Sequence, residues 1–384
     1  MRSKIDLSTS YASVGNKAAK LLGWLSNKTK GLKGLDWEQM LNINQFEVLG
    51  LDIGSSNVRI IQLRKDDTGY SVTAAGMVEI AKQSEGLGCD RQENTVNAIR
   101  KCFESTTAKS RLVVCSVCGP EVAVRSFKFP ALQREELEGA ILLEASQVCP
   151  FNVDDGAVDY QLMPDGNNSI TGVLVAATNA IIKSKRQLVK NASLDTVLMD
   201  VDGLALLNCF NECEKPKPGR TTTILNVGSS FTNLAIVGDN SLPFIRDLPC
   251  AGNNIIKDIA DENKVPTETI SRILSGSESP NKTELELDKS LERACRKLIV
   301  DINETLRFYT AQGKSAVIDK IHVSGGFALV KGFLELLENH LPAKVVLWNP
   351  FEKIRCQAGQ NCRHILQENG PEMAVAAGLA MRSI

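Results

Sequence analysis

Apolar and polar residues follow different rules in the first 45 positions and in the remainder of the chain. From Val48 onward, short apolar runs of period two alternate with longer stretches whose apolar residues recur every three to four positions. The short runs predict strands over 48–53, 57–64 and 70–79, then over 111–118 and 121–129 on either side of Gly119-Pro120. The longer stretches predict helices over 91–106 and from Arg134 to Val148. The second of these has Leu137, Ala140, Ile141, Leu142 and Ala145 as its stripe and Cys149-Pro150 as its stop. Strands follow at 157–163 and 171–177, then a helix at 179–192 with Lys183, Lys185 and Arg186 on an exposed basic face. A strand at 196–200 and a helix at 203–212 lead into a polar, Pro-rich stretch at 212–220. The plan then starts again. Strands are expected at 222–227, 231–237 and 242–248, helices at 252–263, 266–275 and 284–312, and a strand at 320–324. A helix starts near Val330, and a small-residue helix over 371–382 begins with Pro in its first turn.

The restart is a repeat in the residues themselves. Residues 48–63 read VLGLDIGSSNVRIIQL and residues 222–237 read TTILNVGSSFTNLAIV, and the two align without a gap. Asp52 falls on Asn226, Gly54 on Gly228, and Ser55-Ser56 on Ser229-Ser230. Each copy is a strand, a Gly-Ser-Ser turn and a second strand. Such self-similarity predicts two related halves facing each other across a cleft. A Gly-Ser-Ser turn exposes backbone N–H groups and hydroxyls, which suit phosphate oxygens. Two facing turns would grip a nucleotide's phosphates from both sides. Taken singly, a Gly-Ser turn is ordinary hairpin chemistry; the pairing and the Gly325-Gly326 step between a strand and a helix favour the ligand reading.

The first 45 residues carry Arg2, Lys4, Lys17, Lys20, Lys28, Lys30 and Lys33 against Asp6, Asp36 and Glu38. NKAAKLLGWLSNKTK places Ala18, Leu21, Leu22 and Leu25 on one helical face with lysines around the other. That is the pattern of an interfacial membrane binder, and the alternatives are a helix docked on the protein's own body or a disordered tail. The net charge of −1 gives no global field toward nucleic acid. No apolar run approaches the roughly 20 residues that span a bilayer, and the start lacks a signal-peptide core, so a cytoplasmic location is expected. The 11 cysteines are scattered through apolar runs, including Cys115-Ser-Val-Cys118. They read as reduced, buried small hydrophobes rather than as a zinc site around Cys356, Cys362 and His364.

Asp52-Ile-Gly54-Ser55-Ser56, the second turn at 226–230, Gly325-Gly326 and the closing small-residue helix together resemble the nucleotide-binding set of the actin, Hsp70 and FtsA superfamily. Within it, SVCGPEVAVRSFKFPAL, LEASQVCPFNVDDGAVDYQL, GVLVAAT and VDGLALLN resemble the PilM family of type IV pilus assembly proteins in order and spacing. The similarity covers about residues 46–384. It implies an α/β fold of duplicated actin/Hsp70-like (ribonuclease H-like) domains flanking a nucleotide cleft, with an FtsA/PilM-type inserted subdomain at about 110–185. The expected units are a basic extension at 1–45, a first half at 46–211, a linker at 212–220 and a second half at 221–384.

The resemblance also implies ATP and Mg²⁺ as cofactors. Asp52 would orient the metal through water, Ser55, Ser56 and Asn57 would donate to phosphate, and Arg59 stands where the family often has Lys. Asn226, Gly228, Ser229 and Ser230 would complete the grip. Gly252, Asn253, Asn254, Gly325, Gly326 and Phe327 would line the ribose and adenine. Two departures bear on mechanism: Asn226 stands where the superfamily usually has Asp, and Asn233 stands where an acidic residue often follows. An amide cannot supply charge or act as a base, so ATP binding with slow or absent hydrolysis is expected.

The family's partner is the N-terminal cytoplasmic tail of a PilN-like inner-membrane protein, held beside the inserted subdomain. Phe127, Phe129, Phe151 and the 134–148 helix are candidate groove residues. Peripheral attachment to the inner membrane, with a contact through 1–45, goes with that role, and homo-oligomers are compatible with it. The alternatives are an FtsA-like polymerising protein and a sugar- or acetate-type kinase, for which Asp200 and Asp202 are the nearest acids.

Overall fold

The computed structural model describes residues 48–82, 90–163, 169–215, 220–238, 242–279, 286–312 and 318–382. The expected helix of the first 45 residues and the centre of the 212–220 stretch lie outside the described residues.

Two central strands organise the molecule. β1 (Leu49–Ile53) is buried at every position, as a strand covered on both faces must be. It pairs antiparallel with β2 (Asn57–Asp66), which pairs antiparallel with β3 (Gly69–Glu79). After α1 (Arg91–Glu104), β4 (Leu112–Val117) joins β1 in parallel on its other side. An insertion follows. β5 (Val122–Pro130), α2 (Arg134–Val148), β6 (Gly156–Met163) and β7 (Ser169–Thr178) form an antiparallel sheet in the order β5-β7-β6 with α2 against it. α3 (Asn179–Asn191) then leads to β8 (Asp195–Val201), parallel to β4, and α4 (Asp202–Glu214) crosses to the second half.

There β9 (Thr222–Val227), β10 (Thr232–Val237) and β11 (Pro243–Leu248) repeat the antiparallel trio. After α5 (Gly252–Asn263), α6 (Thr267–Leu274) and α7 (Leu287–Ala311), β12 (Lys320–Ser324) joins β9 in parallel. α8 (Phe333–His340) precedes β13 (Lys344–Leu347), parallel to β12. The second sheet, β11-β10-β9-β12-β13, thus matches β3-β2-β1-β4-β8 strand for strand.

The chain's end returns to the first half. β14 (Arg355–Cys356) adds to the edge of β3, and α9 (Gln360–Asn369) and α10 (Ala374–Ala380) follow. All seven residues of α10 are buried. A Cβ on Gly50 would lie 1.9 Å from the Ala376 carbonyl oxygen, and one on Gly378 would lie 1.9 Å from that of Ala205. Glycine at these two positions lets backbone pack on backbone among β1, α10 and α4, and Asn208 Nδ2 donates to the Gly378 carbonyl oxygen at 3.0 Å.

Several elements differ from the sequence expectation. The closing helix is split: a 3₁₀ turn over Gly370–Met373 precedes α10. The helix expected near Val330 begins later, after a 3₁₀ turn over Gly326–Leu329. In α2 the buried stripe is Leu137, Ile141 and Ala145, while Leu142 faces out with Leu143. Phe127 is buried under α2 and stacks on Phe129, with ring centroids 4.9 Å apart, so it is core to the inserted sheet rather than a groove residue. The described cysteines are free, and Cys102, Cys115, Cys209, Cys250, Cys295 and Cys362 are buried.

Candidate functional site

The repeated phrase folds into the same hairpin twice. In the first copy Asp52 faces Arg59 across β1 and β2, and Gly54 N–H closes the turn onto the Asn57 carbonyl oxygen at 3.0 Å. In the second, Asn226 faces Asn233 across β9 and β10, and Gly228 N–H closes onto Phe231 O at 3.1 Å. The half-buried Ser55, Ser56, Ser229 and Ser230 cap these turns. Among the described residues their backbone N–H groups have no protein acceptor. Backbone N–H groups without a protein acceptor at a turn suit an anion.

Beneath the turns the two copies diverge chemically. Arg59 Nη1 donates to Asp52 Oδ2 at 2.9 Å and Nη2 donates to Glu372 Oε2 at 2.6 Å. Asn57 Nδ2 reaches the same Glu372 oxygen at 3.4 Å. Burial raises the Asp52 carboxyl above its ordinary value although Arg59 opposes it. Burial also works against the Arg59 charge, but the Asp52 and Glu372 carboxylates outweigh it. In the second copy the ion pair is replaced by amides. Asn226 Nδ2 donates to Asn233 Oδ1, and Asn233 Nδ2 donates to Asp247 Oδ1, both at 2.8 Å. Ser324 Oγ donates to Asn226 Oδ1 at 3.4 Å, and Gly119 N–H from the first half donates to Asp247 Oδ2 at 2.6 Å. This hydrogen-bonded row crosses the second sheet and ends on the first half. Burial raises Asp247, against those two donors.

The residues expected to line the ribose and adenine neighbour the second turn and Glu372. Gly252 N–H donates to Gly228 O at 3.0 Å and Asn253 N–H to Ser229 O at 2.8 Å. Asn254 Oδ1 accepts from Ala251 N–H at 3.2 Å. Gly325 has φ +89°, and a Cβ there would fall 2.7 Å from Asn226 Oδ1; its N–H donates to Pro371 O at 3.0 Å. A side chain on Gly326 would meet the Glu372 carboxylate. The Phe327 ring is buried in the second core, edge-on to Phe333 at 4.9 Å, and lies against Gly252. Beyond the Gly325-Gly326 step, Val330 and Lys331 join Ile273, Leu274, Gly276 and Glu286 around a cavity of about 800 Å³.

Sequence reasoning missed two side chains here, named a third only for another role and misplaced a fourth. Glu372 and Asp247 were not singled out, because each sits in a stretch read for its secondary structure. Asp202 was named only for phosphotransfer chemistry. It accepts from Ser116 Oγ at 2.6 Å, and burial raises its carboxyl. Lys185 was placed on an exposed face. Instead it is half-buried and its Nζ donates to Ile53 O at 2.6 Å, one residue before Gly54. Asp200, the other acid named for phosphotransfer, is buried and paired with Arg382 Nε at 2.5 Å. Among the described residues no group of three or more His, Cys, Asp or Glu is arranged to hold a metal. No helix among them is long and apolar enough to cross a membrane.

Comparison with known proteins bears on the family and the fold. The family described as type IV pilus assembly protein PilM matches residues 50–384. The cell division protein FtsA of Bacillus subtilis (strain 168) is 24% identical over 259 residues, 61% of this chain. The chain spans only 58% of the length of that relative. Among solved structures, a PilM-PilN type IV pilus biogenesis complex superposes with a TM-score of 0.70 at 21% identity, covering 88% of this chain and 98% of that one. The ethanolamine utilization protein EutJ from Carboxydothermus hydrogenoformans gives 0.52 at 13% identity, covering 88% and 90%. At these identities the structural likeness establishes the fold, a duplicated actin-like α/β architecture.

Proposed function

Because the chain belongs to the family of the type IV pilus assembly protein PilM, we propose that it is an ATP-binding, actin-like scaffold of a pilus or type II secretion assembly platform. The observation that carries this reading is the pair of Gly-Ser-Ser turns with four unpaired N–H donors. Ser55, Ser56, Ser229 and Ser230 would hold the phosphates. Gly252, Asn253, Asn254, Gly325 and Gly326 would line the ribose and adenine, and a cavity lies by Val330, in the chain just after them. Mg²⁺ would offset the phosphate charge when bound, and a hard oxygen ligand such as Asp52 fits it through water. Asn226 and Asn233 spend their amides on each other and on Asp247. They offer no base to a water molecule, which supports binding with little turnover.

A PilM-PilN complex shares this fold, and recruitment of a PilN-like N-terminal tail beside the inserted sheet is the partner role that we assign. β5 and β6 are the edge strands of that sheet, and an extended peptide adds readily to such an edge. The chain would then sit on the cytoplasmic side of the inner membrane through its partner, with residues 1–45 as a second contact. Relationship to FtsA favours polymerisation as the runner-up. Liposomes displaying the cytoplasmic tail of the PilN-like protein should carry the full chain to the top of a density gradient. Bare liposomes of the same anionic lipid should carry less. Flotation with neither contradicts the scaffold reading.

A further inference from the structure

α3 joins the inserted sheet to the first turn. Thr178 is both the last residue of β7 and the N-cap of α3, its hydroxyl accepting from Ile181 N–H at 3.3 Å and donating to Glu121 at 2.6 Å. Two turns along, Lys185 leaves the exposed row of Lys183 and Arg186 and reaches Ile53 O at 2.6 Å. Its charge favours the ionised form of both Asp52 and Asp202. It has three donors, and among the described residues one is engaged.

Arg59, the other cation at this turn, is fixed differently. Each of its terminal nitrogens donates to a carboxylate, Nη1 to Asp52 and Nη2 to Glu372, and the pairs are buried. Swinging it to a phosphate would leave two buried charges without a partner, which is strongly unfavourable. A lysine is a point charge on a flexible stem and can keep one bond while turning other donors to a new acceptor.

Building on the nucleotide reading, we propose that Lys185 is the positioning residue of the phosphate site. It fixes the Gly54-Ser55-Ser56 turn through the Ile53 carbonyl and brings the positive charge that Arg59 does not release. The anchor comes from the helix that continues the inserted sheet, so the turn's geometry is tied to that sheet.

The test is calorimetric titration of the full chain and of Lys185→Met, Lys185→Arg and Lys183→Met with ATP·Mg²⁺. AMP affinity is read by displacement, and thermal midpoints are measured alongside. Lys185→Met should bind ATP about tenfold or more weakly, the scale of one lost charge-assisted hydrogen bond, with AMP affinity unchanged. Lys185→Arg should recover most of the loss, and Lys183→Met should match the wild type. ATP binding by Lys185→Met within about twofold of a binding wild type overturns the inference alone. Equal losses for ATP and AMP with a lowered midpoint do the same, because they mark a merely structural lysine. Should Lys185→Met not fold, Lys185→Arg decides: a phosphate-specific loss below tenfold supports the inference, and a loss shared by AMP refutes it. A wild type that binds no ATP overturns the nucleotide reading and this inference together.

Discussion

Register position 52/59 in the first hairpin and 226/233 in the second show how one backbone was given two chemistries. The first holds a carboxylate and a guanidinium 2.9 Å apart; the second holds two amides 2.8 Å apart. The Asn226 and Asn233 departures were visible in the sequence as an expected loss of catalysis, but not as a structural row. That row depends on Asp247 and Ser324, which are remote in sequence and meet only when β11 and β12 flank β9 and β10. Glu372 was hidden for the same reason, since its contact with Arg59 spans 313 positions. Asp202 allows a test by pH. Burial raises its carboxyl, with Ser116 and Cys118 side chains opposing. The native state therefore holds that proton more tightly than the unfolded chain. Its contribution to stability declines as pH rises from the ordinary carboxylate value through the raised one. The midpoint of Asp202→Asn relative to wild type should accordingly improve between about pH 4 and pH 7. A difference that stays constant across that range contradicts the raised value.

At the scale of elements, the strongly alternating strands and the amphipathic helices were legible because each buries one face or both. β13, β14 and α9 were not foreseen. β14 has two residues and exists because Arg355 and Cys356 find Ser71 and Val72. α9 buries only Cys362 and Leu366, an i, i+4 pair too sparse to stand out in GQNCRHILQENG. The seam of β1, α10 and α4 makes a sharper prediction. Gly50→Ala and Gly378→Ala each drive a methyl into a backbone oxygen 1.9 Å away. Overpacking of this kind costs about 1–3 kcal/mol, and both midpoints should fall. Gly139→Ala, in α2 with nothing within 4 Å of the added carbon, should gain about 0.5–1 kcal/mol from helix propensity. Denaturant titrations that rank the three otherwise refute the account of the seam.

For the molecule as a whole, the sequence repeat predicted two halves, and the strand orders β3-β2-β1-β4-β8 and β11-β10-β9-β12-β13 repeat each other. What the repeat could not reveal is that the chain ends on the sheet where it began. Residues 355–380 bring Glu372 and α10 back under the first turn, so both turns rest on one continuous structure. That return puts Glu372 beside both Asn57 and Gly326, and Pro371 beside Gly325.

The central claim is that the two turns act as one grip, and amide hydrogen exchange of the full chain with and without ATP·Mg²⁺ tests it most directly. The account predicts that peptides covering 53–57 and 227–231 gain protection together at the same ATP concentration. ATP binding that protects only one turn, or neither, would contradict it.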